Sequence, residues 1–384
     1  MSVREYRIHI PDDDIADLRA RLRSARWPTV LDEASWADGI SLSALQRLVH
    51  YWLKSFDWHA QQQRLNRLPQ FLLDVGDMDI HFIHQKGVGP APMPLILTHG
   101  WPGSFSEMER ILPLLTHPGS HGGHPDDAFD VVIPSLPGFG FSSRPAKAGV
   151  SSKAIAAIWR ELMRTLGYER FATQGGDIGA GVSMWLARLY PESIVGTHLN
   201  YIPGSFKPAI TDTAPPLSLD EKNFLEHARQ FSAEEGAYAA LQATKPQTLA
   251  VSLADSPVGL AAWIAEKFHA WTDKGNGLEF GVPLDTLLTD ISLHWFSGSV
   301  DASLRLYKEN RLNPLAFEVG ERVEVPLGVA VFPLELPMPP RAWVERVFSV
   351  DRWTEMPAGG HFAALEQPEL LAEEIRAFFR PLRA

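Results

Sequence analysis

Gly175-Gly176-Asp177-Ile178-Gly179 sets an acidic residue among glycines, in the G-x-Nu-x-G form that a nucleophile takes at a tight strand-to-helix turn. Glycines suit that turn because it leaves no room for Cβ atoms near the reacting group. Asp is also favoured at a helix N-cap, so the stretch alone admits a capping role. His361, in Gly359-Gly360-His361-Phe362, falls after the last expected strand and before the last expected helix. Glu335 closes the run Val329 to Glu335, which places it at a strand end; Glu345 and Asp351 are the alternative carboxylates. Asp as nucleophile, with His and an acid behind it, suits attack on a saturated carbon. The resulting alkyl ester has a carbonyl that His-activated water can attack, whereas Ser would leave an ether that water cannot cleave.

His99-Gly100-Trp101-Pro102-Gly103-Ser104 follows a buried apolar run and lies where one oxyanion-hole N–H is usually supplied. The expected donors are the backbone amides of Trp101 and Ile178. A departing alkoxide needs a proton, and a neutral phenol of reference pKa ~10 can give one at neutral pH. Tyr238 and Tyr307 are the candidates, though by composition alone each reads equally as a packing residue. Trp101, Ile178, Phe139 and Phe362 are the expected pocket walls. The Gly-rich turn Ser135 to Ser142 lacks Gly-Lys-Ser/Thr and so is not a phosphate loop. His117, His121, His124, Asp126 and Asp127 lack helical ligand spacing and read as an exposed loop, so no metal is expected.

These residues need a scaffold that brings strand ends together. Residues 1–70 read as mostly helical: Asp12-Asp13-Asp14 precedes Ile15, Leu18 and Leu22, and a second helix from Ser41 carries Leu42, Leu45, Leu48, Val49 and Trp52. Two short strands around Gly76-Asp77 follow. The continuous apolar runs Pro94–Thr98 and Asp130–Ile133 then alternate with helices, as in a doubly wound, mostly parallel α/β sheet. Its nucleophile–acid–histidine order is that of the α/β-hydrolase fold. From about 205 to 322 only helical signals appear: 219–242, 256–272 and 284–310. The expected partition is an N-terminal helical extension (1–70), a core (71–204 and 323–384) and an inserted helical cap (205–322).

The chain has 384 residues, a formal net charge of −11 and no cysteine. An acidic chain without a dense basic stretch is a poor partner for nucleic acid. The missing thiols exclude disulfide scaffolds and Cys-ligated zinc. No apolar run reaches the ~18 residues of a membrane span, and no secretory h-region is visible.

Taken together, the motifs resemble the microsomal-type epoxide hydrolases over nearly the whole chain. Ile15–Leu22 with Arg26-Trp27-Pro28 resembles that family's N-terminal region. The His99–Ser104 stretch is similar to its oxyanion loop, and Gly175-Gly176-Asp177 to its nucleophile. Ala243-Thr244-Lys245-Pro246 and Asp255–Ala262 resemble its cap. Phe332-Pro333-Leu334-Glu335 and Gly359–Ala364 resemble its acid and base segments. The resemblance implies Asp177 as nucleophile, His361 as base, Glu335 as orienting acid and Tyr238 with Tyr307 as ring-opening acids. It also implies an epoxide and water as reactants, with no cofactor. Two departures stand out: no N-terminal anchor, and Ile178 where the family commonly has Trp. A soluble cytoplasmic enzyme is therefore expected, with a homodimer open and both detoxification and biosynthesis possible roles. The competing expectations are a haloalkane or haloacid dehalogenase and a non-catalytic binding protein of the same fold. Ile178 offers no indole for a halide, and no member of the triad is missing.

Overall fold

The computed structural model describes residues 2–204, 206–209 and 216–383. Residue 205, where the insert was expected to begin, lies outside them. Nine strands form one sheet in the order β1-β2-β3-β5-β4-β6-β7-β8-β9. They are β1 (Val3–Tyr6), β2 (Gln70–Val75), β3 (Met78–Gln85), β4 (Met93–Thr98), β5 (Phe129–Pro134), β6 (Phe171–Gly175), β7 (Ile194–Leu199), β8 (Val323–Val331) and β9 (Phe348–Glu355). β1, β2, β3 and β5 pair antiparallel in turn. From β5 onward every neighbour is parallel. The parallel strands are apolar along their length because both faces are covered: Leu95, Ile96, Leu97, Val131, Val132 and Ile133 are all fully buried.

The helices that matter before the insert are α1 (Asp12–Arg23), α2 (Leu42–Lys54), α3 (Trp58–Leu65), α4 (Leu112–Thr116), α5 (Ser152–Thr165) and α6 (Asp177–Leu189). α2 begins at Ser41, whose hydroxyl accepts from the Ala44 N–H, and it buries Leu42, Leu45, Leu48, Val49 and Trp52. Each such side chain removed from water contributes about 1.5–3 kcal/mol. The extension is not purely helical. β1 joins the sheet edge against β2, through backbone pairing of the charged sequence Val-Arg-Glu-Tyr.

Between β7 and β8 the chain forms α7 (Leu219–Glu234), α8 (Ala237–Thr244), α9 (Pro246–Asp255), α10 (Pro257–Trp271), α11 (Leu284–Ser297) and α12 (Val300–Leu312). The single helix expected over 284–310 is two helices. Gly298 takes φ 58°, a left-handed C-cap that ends α11. The helix expected over 219–242 is likewise interrupted, at Glu235-Gly236. α8 and α9 pack on α12, while α10 contacts both α1 and α2. Arg21 to Asp255 (3.0 Å) and Tyr51 OH to Asp285 (3.0 Å) join the extension to this insert. The chain closes with α13 (Arg341–Val344), α14 (Ala363–Glu366) and α15 (Pro368–Phe379). Among the described residues no single helix is long and apolar enough to cross a membrane.

Candidate active site

Four loops at the carboxyl ends of parallel strands converge, where an open α/β sheet forms its crevice. Asp177 follows β6, Trp101 follows β4, Glu335 follows β8 and His361 follows β9. Asp177 has φ 46°, the one positive φ at a non-glycine among the described residues. Holding it there costs about 1–3 kcal/mol, which the surrounding packing has to offset. That packing is backbone against backbone: a Cβ on Gly175 would lie 2.3 Å from the Gly179 carbonyl, and one on Gly179 would lie 2.0 Å from the Thr98 oxygen. The turn therefore presses α6 onto β4 and pushes the Asp177 carboxylate out into the crevice.

Trp101 N donates to Asp177 Oδ1 at 2.8 Å, and the neighbouring Ile178 amide also favours the charged carboxylate. The other oxygen, Oδ2, faces His361 Nε2 at 3.8 Å. On the far side of the ring, Nδ1 is 2.5 Å from Glu335 Oε1. A one-residue extension of the sheet brings Glu335 and His361 together: Leu334 pairs with Gly360, with Leu334 N donating to Gly359 O at 3.1 Å. Of the alternative carboxylates, Glu345 bonds Arg341 instead and Asp351 is exposed.

Burial pushes the Asp177 carboxyl up, against the opposing pull of His361 and the two amides. Burial would lower His361, but the carboxylates of Glu335, Asp177 and Glu107 outweigh it and raise the ring to about 9. Tyr238 and Tyr307 project from α8 and α12. Their rings flank Trp101, Tyr238 stacked at 5.4 Å and Tyr307 edge-on at 5.8 Å, and their hydroxyls pair with each other. Burial raises both phenols above their ordinary value, and the nearby Asp177 charge adds to it. Both therefore stay protonated and available as donors at neutral pH.

Two spaces meet at Asp177. A cleft of about 830 Å³ is lined by Asp177, Ile178, Trp185, Tyr201, Tyr238 and Tyr307. A small cavity of about 20 Å³ lies beside Trp101, Glu107, Asp177, His361 and Phe362. It holds about one water. Of the expected pocket walls, Ile178 lines the cleft while Trp101 and Phe362 line the small cavity. Phe139 lines neither. It is fully buried beneath the His99–Ser104 loop, against His99 and His294. The Gly-rich turn that carries it packs inward because a Cβ on Gly140 would already lie 2.8 Å from Ser135 Oγ. Among the described residues no group of three His, Asp or Glu is arranged to hold a metal ion.

Residues 3–108 match the epoxide hydrolase N-terminus family model, and residues 93–232 match that of the alpha/beta hydrolase fold. Epoxide hydrolase 1 of Oryctolagus cuniculus is 39% identical over 98% of this chain and 88% of its own length. The chain belongs to the epoxide hydrolase family. Juvenile hormone epoxide hydrolase 1 of Ctenocephalides felis is 34% identical over 98% of this chain and 85% of its own. The solved epoxide hydrolase of Aspergillus niger superposes with a TM-score of 0.85 at 31% identity, covering 100% of this chain and 97% of that one. The chain is thus an enzyme of the α/β-hydrolase fold, and dehalogenase or non-catalytic readings give way to epoxide hydrolysis.

For an epoxide hydrolase site, two neighbours escaped sequence reasoning. Glu107 is buried in the short 3₁₀ turn Phe105–Glu109, where an acid reads as a solvated helix face. Burial and the nearby Asp290 and Asp177 charges hold it well above the usual carboxylate range, although His361 opposes them. Tyr201, just past β7, packs edge-on to His361 at 5.6 Å. Neither carries a local sequence signal.

Proposed function

We propose that this enzyme converts a hydrophobic epoxide to a vicinal diol through an alkyl ester on Asp177. Oδ2 attacks an epoxide carbon from the cleft while Oδ1 rests on the Trp101 amide. The ring C–O bond breaks, and Tyr238 and Tyr307 donate to the departing oxygen. With Asp177 neutralised as the ester, His361 gives its proton to the tyrosinate; a water in the small cavity then loses a proton to the ring and attacks Asp177 Cγ. The oxyanion forms on Oδ1, already bonded to the Trp101 amide, and the Ile178 amide adds to its stabilisation without reorganising. Cleavage of the Cγ–Oδ2 bond releases the diol: the departing oxygen takes the proton of the new Asp177 carboxyl, and His361 is left protonated as it began. Glu335 holds the imidazole with Nε2 towards the water.

The observation that carries this reading is the division of labour around one carboxylate: the Trp101 amide on Oδ1, His361 facing Oδ2, and both tyrosine rings against Trp101 where Asp177 opens on the cleft. The apolar share of the cleft, with Ile178, Trp185 and Leu336 in its wall, supports a hydrophobic or aryl-bearing epoxide. Single turnover in ¹⁸O-water tests the covalent route. The first diol should carry unlabelled oxygen from Asp177, and His361→Gln should accumulate the ester. Solvent label in the first diol would refute the mechanism.

A further inference from the structure

The loop that carries His361 is anchored in an unusual way. Four successive backbone N–H groups, Gly359 to Phe362, all point at acceptors supplied by two carboxylates and one carbonyl. Gly359 N donates to Asp273 Oδ2 at 3.1 Å and Gly360 N to Glu366 Oε2 at 3.0 Å. His361 N donates to Trp271 O at 2.9 Å and Phe362 N to Glu366 Oε1 at 2.9 Å. Glu366 Oε2 takes one further bond, from Asp273 N at 2.6 Å. Trp271 and Asp273 belong to the insert, at and just past the end of α10; Glu366 ends α14 in the core.

The backbones also touch. A Cβ on Gly360 would lie 2.5 Å from Trp271 O and 3.1 Å from Asp273 N, so only glycine permits the approach. The Trp271 ring meets the His361 ring edge-on at 5.2 Å and the Tyr238 ring at 5.1 Å. One corner of the insert therefore contacts both the base and a ring-opening tyrosine.

We infer that Glu366, with Asp273, is a positioning residue: a carboxylate clamp that fixes the base loop to the insert and sets where His361 Nε2 points. Burying a carboxylate is costly unless it is bonded, and three N–H donors satisfy this one. Neither side chain reaches the cleft or the small cavity, so neither touches substrate. The inference rests on the covalent reading above and assigns the clamp to its second half-reaction. Water activation requires His361 to meet a small cavity within a fraction of an ångström, whereas attack by Asp177 Oδ2 does not use the ring as a base. A misplacement near 1 Å costs up to about 100-fold in a step that depends on it.

Glu366→Gln keeps the shape but turns an NH₂ towards N–H donors. Asp273→Asn perturbs the same clamp from the insert side and guards against misfolding of the first variant. Rapid-quench single turnover on each intact variant separates the steps. The expected result is ester formation within about threefold of the parent enzyme and ester hydrolysis slowed about 10- to 100-fold. The far-downfield Nδ1 proton expected from the 2.5 Å Glu335 contact should also shift in its NMR spectrum. Equal loss of both steps in proportion to the folded fraction, or no change in either, overturns the clamp. If the parent enzyme and His361→Gln form no ester at all, the covalent reading falls first and takes the clamp with it; normal ester formation there with unaltered hydrolysis in both clamp variants removes the clamp alone.

Discussion

His361 is charged in the resting site, and that orders the chemistry. At about 9 the ring holds its proton at neutral pH and cannot take one from water. Asp177 is one of the three carboxylates that raise it. On the proposed route, alkylation converts Asp177 to a neutral ester and removes that charge, so the ring's affinity for protons falls when a base is required. Asp177→Asn imitates the neutral state: by NMR titration its His361 should titrate below the value in the parent enzyme. Ester hydrolysis should rise with pH along a limb whose midpoint also lies below 9. Identical titration of His361 in both proteins would contradict the argument. On the same proposed route the tyrosines act in the other step. Tyr238→Phe and Tyr307→Phe should each slow ester formation by about 100-fold while sparing hydrolysis. Rapid-quench rates check this; if neither substitution slows ester formation, the proton comes from elsewhere.

Among the elements, the junction of β4, β6 and α6 bears the strictest demand. The Gly179 Cα lies so near the Thr98 carbonyl that a methyl group cannot enter without moving α6 outward. Gly179→Ala should cost about 1–3 kcal/mol of stability and also withdraw the Ile178 amide from Asp177. Lost activity with an unchanged melting temperature would point to a different cause. This junction was legible because its glycines are spaced as the turn requires. So were the parallel strands, whose two covered faces produce continuous apolar runs. β1 was not: an edge strand of Val-Arg-Glu-Tyr holds by backbone bonds and has little apolar pattern to read. The break at Gly298 was missed because apolar spacing continues through it, and only a left-handed φ stops the helix. Asp177, Glu335 and His361 could be placed from their strand ends. Glu107 and Tyr201 meet the site, and Glu366 and Asp273 the loop behind His361, through packing between distant segments, which no local pattern encodes.

Across the whole molecule, buried histidines couple stability to pH. His81 is lowered to about 3, and His99, His198 and His294 each to about 4, by burial first in every case. His99 and His294 brace the loop that carries Trp101, through Leu136 N and Pro102 O. A histidine depressed in the fold stays neutral there but takes a proton when unfolded below about 6.5. The unfolded state then binds more protons, so each group's contribution is intact above 6.5 and is lost as pH falls towards 4. His361 has the opposite sign: its contribution is present below 6.5 and disappears as pH rises through about 9. The buried Asp290, raised to about 7 by burial, shares that alkaline loss: folding favours its protonated form, an advantage that fades above the ordinary carboxylate range and is gone beyond 7. Because these terms overlap, a difference between two proteins isolates one of them. His198 is the cleanest choice, since both its ring nitrogens lack a hydrogen-bond partner and it lies away from the site on β7, beside Phe378. His198→Leu removes a titrating group without orphaning a neighbour. Its melting temperature relative to the parent should be constant above pH 7 and climb steadily as pH falls from 6.5 to 4, because only the parent must exclude a proton from the fold. A pH-independent difference across that window would mean that His198 titrates alike in both states and that burial does not depress it.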